Sequence, residues 1–329
     1  MKTLFTPPSF WYQRSSPLSK ALFPFSRLYE GVCSLKYRLQ TTQHLPSKVI
    51  CVGNLTLGGS GKTPTVMALA RILTTHFKKH PHILSRGYGS RVIGVHRVGP
   101  HDTPEYVGDE PLLLSKQAVT WVGADRYDSG TKAIKQGADI LIMDDGLQNP
   151  SLHHDLKLLV VDGEQGFGNG CVFPAGPLRV SLDKGMKDVD ALILIHPNDL
   201  IVEKLTSYNK PLFEARFDTQ LPLVPQPVLG FSGIGYPKKF RTYLEKQGFE
   251  VVDFIPFPDH HIYITEDLRF LQKRQKDLKV PLITTEKDLI KIPLSYRQNT
   301  YVLPITLVLK DDVKFHEFLE DTLKLDSLV

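Results

Sequence analysis

The chain is poor in cysteine. Its 329 residues hold three, Cys33, Cys51 and Cys171, odd in number and far apart. That spacing argues against a disulfide framework and against a cysteine-ligated zinc site, and it fits a reducing compartment. Long apolar runs are also missing, and none reaches the ~20 residues that span a bilayer. Prolines and charges interrupt the apolar residues at the N-terminus, so a cleaved signal peptide is not expected. There is no low-complexity tract and no internal repeat. The net charge is only +5, and it is uneven. Residues 1–40 hold Lys2, Arg14, Lys20, Arg27, Lys36 and Arg38 against Glu30 alone, which leaves the rest of the chain neutral in sum. A general nucleic-acid binder would be basic across its body, so no nucleic-acid partner is expected. Length allows two domains, and 41% apolar with 23% charged residues is ordinary for a globular protein.

The basic front end has a helical pattern. At 100° per residue from Pro17, one broad face collects Leu18, Ala21, Leu22, Phe25, Leu28, Tyr29, Val32, Leu35 and Leu39. Lys20, Arg27 and Arg38 line the opposite face, and Lys36 must snorkel from the apolar side. Pro24 is expected to bend or break this helix. Phe10, Trp11 and Tyr12 form an aromatic cluster just upstream. A basic amphipathic helix beside aromatics is the pattern of an interfacial anchor, and the plain alternative is a helix packed on the body.

The remainder alternates apolar runs with helical stretches, which predicts a mostly parallel sheet covered on both faces. "KVICVGN", "HILSRG", "ADILIMDD", "LKLLVVDG" and "DALILIH" read as its strands. Three prolines in Gln220–Leu229 suggest a linker. A second α/β series follows, with "VLGFSGIG", "FEVVDFIPF", "VPLITT" and "TYVLPITLVL" as strands and a helix over Val313–Leu325. The expected division is an N-terminal membrane-docking segment 1–40, a P-loop domain 41–220 and a smaller C-terminal α/β domain 221–329.

"GNLTLGGSGKTPTV" (Gly53–Val66) lies between a strand and a helix, the context of a phosphate-binding loop, although Thr56 stands where the common pattern has Gly. The N–H groups of Gly58, Gly59, Ser60 and Gly61 suit phosphate oxygens at a helix N-terminus. Lys62 would reach the β- and γ-phosphates, and the Thr63 hydroxyl would bind Mg²⁺. Asp144 and Asp145 end an apolar strand at the position of a metal-holding carboxylate. Both point into one site only if the strand stops at Asp144, which Gly146 permits. Asp109 and Glu110 in "VGDEPLLL" lie on the same loop edge, although Asp109 also suits a helix cap before Pro111. In the second series, "GIGYP", "FPDHH" and "TTEKD" share a loop edge, which makes Asp259 and His260 candidates for acid–base support. A guanine-reading Asn/Thr-Lys-x-Asp motif fails, because Lys287 and Asp288 in "TTEKD" are adjacent.

Together with "LSRGYGS", "GDEPLLL", "GADR", "DDGLQ", "FPAGPLR", "FSGIGYPKKF" and "LITTEKD", these stretches resemble the tetraacyldisaccharide 4′-kinases along nearly the whole chain. The resemblance implies a P-loop NTPase-like fold and a peripheral enzyme on the cytoplasmic face of the bacterial inner membrane. It implies ATP and Mg²⁺ as cofactors and a lipid A precursor, tetraacyldisaccharide 1-phosphate, as acceptor. It also brings Thr56 and Leu57 into the nucleotide loop. It makes Asp109 the catalytic base, supported by His260, and assigns Glu110, Asp144 and Asp145 to metal and substrate positioning. Two departures stand out. Asn149 and Pro150 follow Gln148 where the family has His and Arg. Val180 replaces an acid after Arg179, which keeps Arg179 out of the candidate set. The rival classes are a P-loop GTPase or metallochaperone switch, and a peripheral membrane-binding module that has lost catalysis.

Overall fold

Among the described residues, thirteen strands divide between two sheets. In chain order they are β1 (Lys48–Gly53), β2 (Pro81–Ser85), β3 (Val95–Arg97), β4 (Thr120–Gly123), β5 (Ile140–Asp144), β6 (Leu156–Asp162), β7 (Ala191–Ile195), β8 (Leu212–Asp218), β9 (Pro227–Ser232), β10 (Glu250–Pro256), β11 (Leu282–Thr285), β12 (Thr300–Leu303) and β13 (Thr306–Leu309). The computed structural model describes residues 7–13 and 15–326, so Lys2 and Arg14 of the basic front end lie outside the described residues. The large sheet runs β13-β8-β7-β6-β1-β5-β2-β4-β3 and the small one β10-β9-β11-β12.

The large sheet is parallel except at its edges, where β3 and β13 pair antiparallel with β4 and β8. Strands buried on both faces, such as β5 and β7, explain the continuous apolar runs in the sequence. The helix Lys62–Thr75 buries Val66, Leu69 and Leu73 against one face. The helix Arg126–Lys135 buries Ala133 in a separate cluster with Leu84, Trp121 and Leu141. The small sheet is wholly parallel.

Three sequence expectations change. The linker is shorter, because β9 already begins at Pro227, a position that a strand tolerates in its first residue. "TYVLPITLVL" is two strands, not one. β12 completes the small sheet, Pro304 and Ile305 intervene, and β13 joins the large sheet beside β8. The helix Asp312–Leu323 then sinks Phe315, Leu319 and Leu323 into the large core. The small unit is therefore an insertion spanning roughly the sequence between β8 and β13, rather than the whole of 221–329.

The third change concerns the front end. The helix Pro17–Leu39 runs unbroken through Pro24. Proline removes one N–H and frees the carbonyl of Lys20. Both residues are exposed, so water can satisfy that carbonyl. The helix docks through polar side chains. Ser19 Oγ donates to Ala175 O at 2.8 Å, Ser26 Oγ donates to Val172 O at 2.7 Å, and Glu30 accepts from Ser181 N at 3.0 Å. Lys184 Nζ reaches Ser34 Oγ at 2.7 Å. Leu18, Phe25, Leu28, Val32, Leu35 and Leu39 remain exposed, Leu28 by 67% and Leu39 by 75%. Of the aromatic cluster, Trp11 is not free for an interface. It is 2% exposed, and its indole donates to Pro174 O at 3.1 Å.

Trp11→Ala is expected to loosen this docking. Emptying a buried tryptophan site costs about 3–5 kcal/mol, and here that cost falls on the local anchor of the segment. Limited proteolysis should then cut before Pro17 much faster than in the wild type, with global unfolding little changed.

Candidate active site

The loop after β1 is shaped by its glycines. Gly61 has φ +85°, and a Cβ there would drive into Ile195. This conformation turns the chain directly into the helix Lys62–Thr75. The N–H groups of Gly58 to Thr63 make no hydrogen bond among the described residues, and the buried Ser60 hydroxyl has no partner either. Helix N-termini leave such donors unspent, and they attract anions. Leu57 does not belong with them. Its N–H donates outward to Pro177 O at 2.8 Å, because the loop enters by pairing with the 177–178 segment. Thr56 bridges to Leu178 in the same pairing, and its carbonyl accepts from Asn54 Nδ2 at 2.7 Å. The threonine position thus fixes the entry to the loop rather than its floor.

Lys62 Nζ donates to Asn54 Oδ1 at 3.0 Å and lies 3.7 Å from Asp145 Oδ1. β5 ends at Asp144, and Asp145 turns to φ +52°, so the two adjacent carboxylates can serve one site. Arg179 Nη1 lies 3.1 Å from both Asp145 oxygens and 3.1 Å from Gln148 Oε1. Burial would raise the Asp145 carboxyl, but Lys62 and Arg179 hold it below the usual range. Asn54 and Arg179 are site residues that the sequence reading passed over. The Asn in "GNLTLGG" was the available signal for the first. The change at Val180 drew attention away from the second.

Asp144 has the opposite electrostatics. Burial, then Glu110 and Asp145, push its carboxyl up to about 7. Its Oδ2 is 3.5 Å from Ser85 Oγ, while Oδ1 is buried without a partner among the described residues. An orphaned carboxylate oxygen among acids, beside the hydroxyl-bearing start of a helix, is a donor set that fits a hard, oxygen-seeking divalent cation.

Asp109 opens the short helix Asp109–Leu114 and is only 5% exposed. Across the gap between the two sheets, His260 Nδ1 lies 2.9 Å from Asp109 Oδ2 and 3.0 Å from Oδ1. His260 itself has φ +97°, a strained backbone for a non-glycine residue. Asp259 is more remote, 3.8 Å from the other ring nitrogen. Lys287 Nζ reaches Glu110 at 3.0 Å and stands 3.9 Å from Asp109. Lys291 stands 4.0 Å from Asp109. Burial would raise the Asp109 carboxyl, but the His260 hydrogen bond, Lys287 and Lys291 bring it down to about 2. Glu110 is lowered chiefly by Lys287. Asp288 turns inward instead: it is fully buried and accepts from Gly233 N and Tyr263 Oη, both at 3.0 Å. It is spent on the small core and cannot read a base.

A second set of charges joins the two units. Asp162, Glu164 and His196 lie close enough to hold a cation. Lys239 already fills that role, pairing with Asp162 and lying 3.5 Å from Glu164. Lys246 adds a contact to Glu164 at 3.2 Å.

Comparison with known proteins agrees with this geometry. The family described as Tetraacyldisaccharide-1-P 4′-kinase matches residues 18–324. The chain belongs to that family. A Tetraacyldisaccharide 4′-kinase of Gluconobacter oxydans is 40% identical over 316 residues, 93% of this chain and 94% of the relative. One of Phenylobacterium zucineum is 40% identical over 320 residues, 93% of this chain and 95% of the relative. Among solved structures, the "apo" form of LpxK from Aquifex aeolicus in complex with ATP superposes with a TM-score of 0.76. It is 32% identical and covers 93% of this chain and 99% of its own. The family's fold is thus an α/β, P-loop NTPase-like one, and the large, mostly parallel sheet described above is its core.

The depressed Asp109 carboxyl has a consequence for stability. Its folded value, about 2, lies below the ordinary 3.8, so the stabilisation is present above pH 3.8 and is lost as pH falls through about 2. The difference corresponds to roughly 2 kcal/mol. Asp109→Asn should therefore show a flatter stability profile between about pH 4 and pH 2 than the wild type in urea unfolding. Parallel profiles would mean that the pairing with His260 contributes nothing to folding.

Proposed function

We propose that the protein transfers the γ-phosphate of ATP to the 4′-hydroxyl of tetraacyldisaccharide 1-phosphate, a lipid A precursor. The observation that carries this reading is the pairing of buried Asp109 with half-buried His260, drawn from the two units and set on the loop edge that holds an open phosphate loop. The names of the relatives point the same way, and the Aquifex aeolicus structure contains ATP.

In this reading the Gly58–Gly61 amides cradle phosphate oxygens, and Lys62 offsets charge building on the β/γ bridge. Thr63, Glu110, Asp144 and Asp145 would hold Mg²⁺, which supplies further charge neutralisation on the phosphates. Arg179 keeps Asp145 ionised and turned towards Lys62. Asp109 receives the acceptor hydroxyl's proton. A carboxylate held near 2 is a weak base towards an unreacted alcohol. In a loose transition state the proton leaves late, when the attacking oxygen has become far more acidic. His260 keeps that carboxylate oriented. A switch protein that reads guanine is disfavoured by the buried Asp288. A lapsed binding module is disfavoured by the complete set of charged groups.

Lys62→Ala should lower turnover on the order of a hundredfold or more while leaving the fold intact. Asp109→Ala should lower kcat by about 10²–10⁴ with little change in ATP binding. Phosphate added to the disaccharide lipid, followed by mass spectrometry, is the readout. If the acceptor gains no phosphate with the wild-type enzyme, the kinase reading fails.

The same reading places the enzyme on a membrane surface, the cytoplasmic face of the inner membrane, without spanning it. No helix among the described residues is long and apolar enough to cross a bilayer. A multiply acylated acceptor stays in the bilayer, and the helix Pro17–Leu39 leaves Phe25, Leu28, Val32, Leu35 and Leu39 uncovered. Changing Lys20, Arg27 and Arg38 to Glu should weaken binding to anionic liposomes at low salt, each basic residue contributing roughly 1 kcal/mol. Changing Leu28 and Leu35 to Ser should weaken it at every salt concentration. Unaltered sedimentation of both variants would leave the helix with a purely structural role.

A further inference from the structure

A cavity of about 240 Å³ opens at the first turns of the helix Pro17–Leu39, and no candidate catalytic residue lines it. One wall is formed by Ser15, Ser16, Ser19, Lys20 and Phe23. Positions 16, 19, 20 and 23 recur at helical spacing and so share one face. The other wall is formed by Asn169 and Cys171.

That second wall is fixed to the first. Asn169 Nδ2 donates to Ala175 O at 2.9 Å and to Ser19 Oγ at 3.1 Å, and its Oδ1 accepts from Cys171 N at 3.0 Å. Asn169 N donates to Trp11 O at 2.6 Å. Asn169 is thereby spent, and the Ser19 hydroxyl proton is spent on Ala175 O. These two residues build the cavity without being free to bind anything in it.

What remains open is a set of donors. Ser16 is only 5% exposed, yet its hydroxyl neither caps the helix nor makes any other hydrogen bond among the described residues. A buried hydroxyl without a partner is costly unless a ligand or water completes it. The N–H groups of Leu18 and Ser19 also make no hydrogen bond among the described residues, as the first turn of a helix dictates. The Lys20 side chain is exposed and has no ion pair among the described residues. No acid lines the cavity. A buried hydroxyl, an ammonium and the positive end of a 23-residue helix together are complementary to an oxyanion.

We infer that this cavity binds a terminal phosphate group, a phosphate monoester displayed by an anionic lipid of the membrane surface. The inference rests on the membrane-surface reading above. A helix that lies on its apolar side keeps its first turn and its opposite face at the depth of the headgroups. A monoester presents three free oxygens at the tip of its lipid and enters a pocket end-on. A phosphodiester is flanked by carbon on both sides and cannot. The apolar residues of the helix set how deeply it sits, and the cavity sets which headgroup it prefers.

The test uses the full chain without ATP or acceptor. Vesicles of phosphatidylcholine carry either phosphatidic acid, a monoester, or phosphatidylglycerol, a diester, at equal surface charge. The wild type should bind the first about tenfold more tightly. Ser16→Asp should abolish that preference, because aspartate is a good helix cap but repels phosphate. Lys20→Gln should abolish it too, whereas Arg38→Gln, which removes a cation outside the cavity, should weaken binding to both vesicles equally. A local readout is alkylation of Cys171, which lines the cavity, compared with Cys33, farther along the same helix. Inorganic phosphate, but not chloride at the same ionic strength, should slow Cys171 alone, and neither cavity variant should show this protection. Protection without a vesicle preference overturns the lipid as the source and leaves a soluble phosphate ester. A preference without protection, or one that survives both cavity variants, overturns the cavity. If the wild type binds neither vesicle, the membrane reading falls and Cys171 protection alone decides the cavity.

Discussion

Asp109 is an ionised group with almost no access to water, and the arrangement of the site follows from that constraint. A buried carboxylate is tolerable only if cations and hydrogen-bond donors surround it. The large unit supplies the Glu110 N–H, 2.9 Å from Asp109 Oδ1, but no cation among the described residues at that distance. His260, Lys287 and Lys291 all come from the small unit. Separating the two units would strip Asp109 of its cationic partners and also break the Lys287–Glu110 pair. The same interaction therefore holds the units together and keeps the candidate base charged. On the nucleotide side the logic is reversed: burial, then Glu110 and Asp145, outweigh Lys62 and Arg126, and the Asp144 carboxyl rises. Two aspartates on one loop edge are thus shifted in opposite directions in their readiness to ionise.

Local patterns carried most of the fold. Buried parallel strands read as unbroken apolar runs, and Gly-Lys-Thr after such a run fixed the phosphate loop. The turn at Asp144–Asp145 was also readable, because adjacent side chains on a strand must diverge unless it ends. What could not be read depended on partners distant in sequence. Leu57 is drawn away by Pro177. Arg179 is held by Asp145 and Gln148, which no spacing rule links to it. Lys287 looked like part of a failed nucleotide motif until the fold set it against Glu110. "TYVLPITLVL" has one period and one composition, yet its halves belong to different sheets, and only tertiary pairing separates them.

The front-end helix shows why periodicity identifies a face without naming its partner. The apolar stripe was visible, and the ordinary expectation is that such a stripe faces the core. Here the serines do. Ser19 and Ser26 are small enough for close approach and can satisfy the carbonyls of Ala175 and Val172, while the leucines remain outside. Attachment to the body and availability of the apolar face are thus served by different residues of one helix.

The insertion of the small unit between β8 and β13 limits how it can move. These two strands are neighbours at one end of the large sheet, so the outgoing and returning chains lie side by side. Thr219 on the first donates a hydrogen bond to the carbonyl of Pro304 on the second, stitching the pair at its exit. A body held by two adjacent tethers cannot slide away or spin freely. The motion that leaves both sheets intact is a swing about a short axis through those tethers. Every atom of the small unit then sweeps an arc whose length grows with its distance from Thr219.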